Sequence, residues 1–169
     1  MMYKIIYLDF DNTIVNTSKA ICSLYNEDFL YYKNFKYVDW REIKSWGFTE
    51  CTCTTKEYIN TYFNPPRFFK IIDFMPYAEE VISLLQQKYK IKIVSMGNKP
   101  NLKLKQKWIK CNLHDDIEFI GIDFNECEDK RNIDMSDEIF VDDNVKMLQS
   151  SNAHTKICFG DNEWNNDWN

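Results

Sequence analysis

Glycine is scarce in this chain, four among 169 residues, and the scarcity removes two large classes of nucleotide-handling protein. A dinucleotide fingerprint needs closely spaced glycines at a strand-to-helix turn, and a P-loop needs them around a phosphate-cradling backbone; neither pattern occurs. No CxxC pair exists among the six cysteines (Cys22, Cys51, Cys53, Cys111, Cys127, Cys158). Their spread argues against zinc and, with no secretory segment in view, favours reduced thiols in the cytoplasm. No apolar run approaches the ~18 residues of a membrane span. The opening MMYKIIYLDF has too short an apolar run, and no small-residue cleavage site, to read as a signal peptide. Positive charge is not in excess either. A formal net charge of -5 argues against an electrostatic grip on polymeric nucleic acid, though a local basic pocket for a small anion remains compatible with it. Internal repeats and low-complexity linkers are missing, so the length suits one core domain with a modest insertion.

What the chain does contain is a series of short apolar runs. The first ends at Asp9, and IKIVSM (91–96), IEFIGI (117–122), EIFVDD (138–143) and TKICF (155–159) resemble it. Near-continuous hydrophobicity over so few residues is the mark of strands covered on both faces, and so of a parallel sheet between helical layers. Ala78, Val81, Ile82, Leu85 and Tyr89 recur at helical spacing after Pro76. Leu104, Trp108 and Cys111 form another stripe near Pro100, with lysines assigned to the opposite face. A third helix is expected after Asn144, which can cap it, with Val145, Leu148 and Ala153 turned to the sheet. Strand and helix alternate, and the expected fold is α/β: a three-layer, Rossmann-like parallel sheet.

Residues 15–75 break that alternation. They are rich in Tyr, Phe, Trp and Lys, with amphipathic pieces near 18–32 and 55–63 and no strong strand signal. They read as a small helical cap inserted after the first strand, leaving 1–14 and 76–169 as the core. A cap there emerges at the carboxyl end of the strand, where open parallel sheets hold their ligands.

The chemistry-bearing residues fall at predicted strand ends: Asp9 and Asp11 after the first, Ser95 after the second, Asp142 and Asp143 after the fourth. Residues two apart in a strand share a face, so Asp9 and Asp11 are aimed at one place, where their repulsion calls for a positive partner. Acids from two strands meeting on one sheet edge, with oxygen-only ligation, select a hard divalent cation such as Mg²⁺. Lys130, on the approach to the fourth strand, is the candidate for further positive charge, with Lys99, Lys103 and Lys105 as rivals.

In order and spacing, DFDNT (9–13), IVSMGN around Ser95, Lys130 and FVDDN around Asp143 resemble the four motifs of the haloacid dehalogenase superfamily. The whole chain looks most like the small 5′(3′)-deoxyribonucleotidases and their bacterial and phage relatives. That likeness rests on the cap's position and size, DFMPYAEEVISLL before the second motif, EDKRNID around Lys130, and FVDDN. The resemblance implies a phosphatase in which Asp9 attacks phosphorus and Asp11 serves as acid and base. It implies Mg²⁺ on the Asp9 side chain, the Asp11 carbonyl and Asp143, with Asp142 acting through water. It further implies Ser95 on a phosphate oxygen, with Met96 and Gly97 beside it, Lys130 holding nucleophile and phosphoryl group together, and Thr13 closing the first motif near the substrate. Two departures stand out: Asn12 occupies a position where many members have Gly, and SMGN differs from the Thr-Ser type of some deoxyribonucleotidases.

The expected partner is a small phosphorylated substrate, foremost a (deoxy)nucleoside monophosphate, with no polymeric nucleic acid and no membrane. Of the cap aromatics Phe35, Tyr37, Trp40, Trp46 and Phe48, most should pack the cap, while Trp40 and Trp46 are the leading candidates to stack on a base. Arg67, after NPP, reads as a hinge or surface residue, with a phosphate contact as the lesser alternative. Two alternatives stay open: a phosphatase for sugar phosphates or nucleic-acid ends, and a phospho-accepting receiver-like signalling module, for which Asp123 would have to act as acceptor.

Overall fold

Each of the five apolar runs forms a strand in the computed structural model, which describes residues 4–168. The strands are β1 (Ile5–Leu8), β2 (Lys90–Gly97), β3 (Glu118–Asp123), β4 (Ile139–Asp142) and β5 (Thr155–Cys158). All pair in parallel, in the order β3-β2-β1-β4-β5. Both faces are covered at the central strands, as the continuous hydrophobicity requires, while Ile157 on the edge strand β5 stays exposed. Ile6, Leu8, Ile91 and Ile93 enter one buried cluster with Ile82, Trp108 and Ile109, whereas Tyr7, Val94 and Phe140 enter a second with Leu148. Alternate residues of each strand therefore serve opposite helical layers. The chain moves outward from β1 through β2 to β3, then returns to the far side of β1 for β4 and β5. This reversal opens a crevice at the carboxyl ends of the central strands.

Helices α4 (Ala78–Leu85), α5 (Lys99–Asn112) and α6 (Val145–Ser150) belong to the sheet layers. Asn98 caps α5 by accepting from the Asn101 N–H at 3.0 Å, and Asn144 caps α6 by accepting from Lys146 N–H at 3.0 Å. The phase of α5 differs from the expected stripe. Its buried face is Asn101, Lys105, Trp108 and Ile109, while Cys111 is exposed; polar residues hold the inward positions nearest the crevice, so hydrophobicity alone misplaces the face.

Residues 15–75 add α1 (Thr17–Phe29), a 3₁₀ turn at Trp40–Glu42, α2 (Lys56–Thr61) and α3 (Pro66–Ile71), and no strand of the sheet. Helix α3 was not expected from NPPRFF. Pro66 sits in its first turn, where a missing N–H costs nothing, and Phe68 is buried beneath it. The ends of the segment are stitched together by Asn16 N–H to Asp73 O (2.9 Å) and Met75 N–H to Ile14 O (2.8 Å). Arg67 grips Asp28 through two nitrogens (2.8 and 3.1 Å) and Glu27 through one (2.8 Å), and Tyr62 OH donates to Asp28 at 2.8 Å. Arg67 thus fastens α3 to α1.

Candidate active site

The site begins where β1 runs out. Asp9 extends the ladder, its N–H donating to Val141 O at 2.9 Å, and the chain then turns at Asn12, whose φ is +53°. A left-handed residue suits Gly or Asn, which accounts for Asn at a position where the resembling family often has Gly. The Asn12 side chain steadies the turn, accepting from Ser18 N–H at 2.9 Å and donating to Ser18 Oγ at 3.0 Å.

Each of the two acids of the first motif meets a lysine of its own. Asp9 pairs with Lys130, whose ammonium also donates to Asp142 at 2.6 Å. Asp11 pairs with Lys105, which donates to Ser95 Oγ at 2.8 Å and Met96 O at 2.9 Å as well. Thr17 Oγ1 donates to Asp11 Oδ1 at 2.8 Å, and Ser95 OH faces Asp11 Oδ2 at 3.4 Å. Both lysines are fully buried. Thr17 is absent from the sequence-based site, and Lys105 stood there only as a rival to Lys130, not as a partner of Asp11. The signal for Lys105 was a lysine four residues after Asn101 and three before Trp108, on one helical face.

Asp9, Asp142 and Asp143, all buried, bring carboxylate oxygens within 4.8 Å of one another. Burial, with the charges of Asp142 and Asp11 adding to it and Lys130 opposing, pushes the Asp9 carboxyl up to about 7. Asp143 is likewise raised well above the usual carboxylate range by burial and by the charges of Asp9 and Asp142, while a hydrogen bond from Trp164 works against the rise. Burial acts to lower Lys130, but the adjacent Asp142 and Asp9 outweigh it and leave its pKa raised. Three crowded acids with a single lysine among them have an unmet demand for positive charge, and an all-oxygen donor set fits a hard divalent cation.

A cavity of about 630 Å³ lies over these groups, within the range that holds nucleotide-sized ligands. Asp9, Asp11, Lys105, Lys130, Asp142 and Asp143 form its polar floor; Met96 and Gly97 line it from β2, and Trp46, Asn60, Phe63 and Asn64 from residues 15–75. Three other expected residues lie elsewhere. Ser95 is fully buried behind Asp11 and Lys105, and Thr13 is buried with its hydroxyl unpartnered among the described residues. Trp40 is not on the cavity wall. It packs against the hydrophobic core from its 3₁₀ turn, with the Arg41 guanidinium 5.8 Å from its ring, whereas Trp46 stands 5.9 Å from Phe63 at the cavity.

Strand order bears on the receiver alternative. In the receiver arrangement β1 neighbours β3; here β3 is the sheet edge, separated from β1 by β2. Asp123 is occupied locally, accepting from Asn125 at 2.9 and 2.8 Å and facing Lys99 at 3.9 Å.

Comparison with known proteins agrees with this architecture. The family described as 5′ nucleotidase, deoxy (Pyrimidine), cytosolic type C protein matches residues 3–167. No curated protein matches in sequence. Among solved structures, a haloacid dehalogenase-like hydrolase from Streptococcus pneumoniae shares 15% identity at a TM-score of 0.58, over 88% of this chain and 80% of that one. A HAD-hydrolase from Bacillus subtilis bound to magnesium shares 16% at 0.52, over 92% and 86%. CbbY from Rhodobacter sphaeroides in complex with phosphate shares 13% at 0.53, over 88% and 81%. At such identities these structures establish the fold alone.

Proposed function

This chain belongs to the family of the 5′ nucleotidase, deoxy (Pyrimidine), cytosolic type C protein and is a phosphatase of haloacid dehalogenase type; from that membership we propose that it hydrolyses (deoxy)nucleoside monophosphates through an aspartyl-phosphate, with Mg²⁺ as cofactor. The observation that carries the reading is the division of labour on the cavity floor: Asp9 sits among the acids, while Asp11 is held apart by Lys105 and Thr17.

In this reading an Asp9 oxygen attacks phosphorus, the phosphorus–ester bond breaks, and Asp11 gives its proton to the departing alkoxide. Asp11 then takes a proton from water as that water attacks the phosphoryl group, releasing inorganic phosphate and restoring Asp9. Lys130 bridges Asp9 and Asp142 and offsets negative charge beside the transferring group. Asp9, Asp142 and Asp143 would hold the cation, which when bound neutralises charge that otherwise repels the phosphate dianion. Residues 15–75 act as the cap, and Trp46 and Phe63 offer flat surfaces to a base. The two lysines on the floor are already paired with carboxylates, which favours a single phosphate over a di- or triphosphate. No described helix is long and apolar enough to cross a membrane, and six unbridged cysteines suit a reducing cytoplasm.

The test is a phosphate-release panel of 5′- and 3′-mononucleotides, deoxy and ribo, with sugar phosphates and 5′-phosphorylated oligonucleotides, in Mg²⁺ and in chelator. Mononucleotides should be the best substrates, turnover should vanish in chelator, and Asp9→Asn should be folded but inactive. Preference for sugar phosphates or oligonucleotide ends would overturn the substrate assignment, and an active Asp9→Asn would remove Asp9 as nucleophile.

A further inference from the structure

The three acids of the trio are not held alike. Lys130 fixes Asp9 and Asp142, and Asn144 N–H donates to Asp142 Oδ1 at 2.8 Å. No such cation meets Asp143 among the described residues. Among the described residues the single donor to its carboxylate is the indole of Trp164, whose Nε1–H meets Oδ2 at 2.9 Å.

Trp164 comes from the polar segment after β5, and that segment is built to reach Asp143. Gly160, with φ +79°, reverses the chain. Asn162 and Asn165 cap each other around a 3₁₀ turn at Glu163–Asn165. The buried Asn165 amide then donates to Asp143 O at 3.1 Å and to Phe159 O at 2.9 Å. Asp143 is therefore gripped twice by the same turn, at its backbone by Asn165 and at its side chain by Trp164. The indole also forms part of the cavity wall.

We propose that Trp164 is a positioning residue for the metal centre, its indole N–H setting the orientation in which Asp143 meets the cation. The inference rests on the reading of the acidic trio as a Mg²⁺ site. An indole N–H donates without carrying charge, so it fixes the carboxylate while leaving its charge for the cation. Lysine in the same place would compete with the metal. Outer partners of this kind are worth about 10- to 100-fold in metal affinity.

The test titrates Mg²⁺ into metal-stripped wild type, Trp164→Phe and Trp168→Phe, followed by calorimetry and tryptophan fluorescence, with melting temperatures taken in chelator. Trp164→Phe keeps an aromatic ring and removes the N–H. It should bind Mg²⁺ about 10- to 100-fold more weakly, with a melting temperature in chelator close to the wild type's. The fluorescence change on Mg²⁺ binding should disappear in Trp164→Phe and persist in Trp168→Phe. Unchanged Mg²⁺ affinity in Trp164→Phe, with or without lower stability, overturns the inference while leaving the metal site standing. Absence of Mg²⁺ uptake by wild type overturns the site itself. Should Trp164→Phe fail to fold, the indole Nε1–H resonance of Trp164 in the wild type decides the matter: a shift and slower solvent exchange on Mg²⁺ binding support the inference, and an unchanged resonance refutes it.

Discussion

Magnesium should stabilise this protein at neutral pH and hardly at all in mild acid, because the cation must displace a proton that burial holds on Asp9. With the Asp9 carboxyl pushed up to about 7, each pH unit below that value costs roughly tenfold in apparent metal affinity, and the raised Asp143 steepens the fall. At neutral pH, free magnesium at about 100 times the dissociation constant contributes roughly 2.7 kcal/mol, a rise of roughly 5–10 °C in melting temperature for a chain of this size. Near pH 5 the same magnesium is only about equal to the apparent constant, and the gain shrinks to about 0.4 kcal/mol, or about 1 °C. The metal-free protein moves in the opposite sense. The unfolded chain releases the Asp9 proton near its ordinary 3.8 while the folded state keeps it until about 7. Stability in chelator therefore declines as pH rises through that window, by up to about 4 kcal/mol. Paired melting curves in magnesium and in chelator, from about pH 5 to about pH 8, read both effects. An equal magnesium increment at the two extremes would refute the buried-proton argument, and no increment anywhere would refute the cation site.

Lys105→Met should leave the fold intact but lower kcat by about 100-fold, since Asp11 loses its lysine and keeps Thr17 and Ser95; wild-type kcat would show that Lys105 is a bystander. Gly97→Ala places a methyl 2.3 Å from Asn101 Oδ1, displacing the amide whose Nδ2 bonds Phe63 O at 2.7 Å. Hydrogen exchange around Phe63 should then accelerate, and stability should fall by about 1–3 kcal/mol; unchanged exchange would count against this tie between α5 and the cavity wall. Tyr77 precedes α4 with φ +64° and its side chain is mostly in solvent, so Tyr77→Asn should raise stability by about 1 kcal/mol in chemical denaturation, and a loss of stability would mean the ring contributes packing.

Strands β1 to β5 could be read from the chain because strands of a sheet held between helical layers carry short runs of mostly hydrophobic residues, and that demand is local. Asp9, Asp11, Asp142 and Asp143 stood out for the same reason, each placed where an apolar run stops. Lys105 did not, because a buried lysine is tolerated only if carboxylates from distant segments surround it, and Asp11 lies far away in the chain. Nor did Trp46 differ from Trp40 along the sequence; an aromatic ring packs equally well into a core or along a cavity wall, and only the path of residues 15–75 chooses. The polar run around Trp164 carried no hydrophobic pattern at all. Local composition thus determined the sheet, the helical layers and the acids at its carboxyl edge. Tertiary structure alone decided which lysine serves which acid and which tryptophan meets Asp143, because those pairings depend on through-space distances set by the order in which the strands assemble.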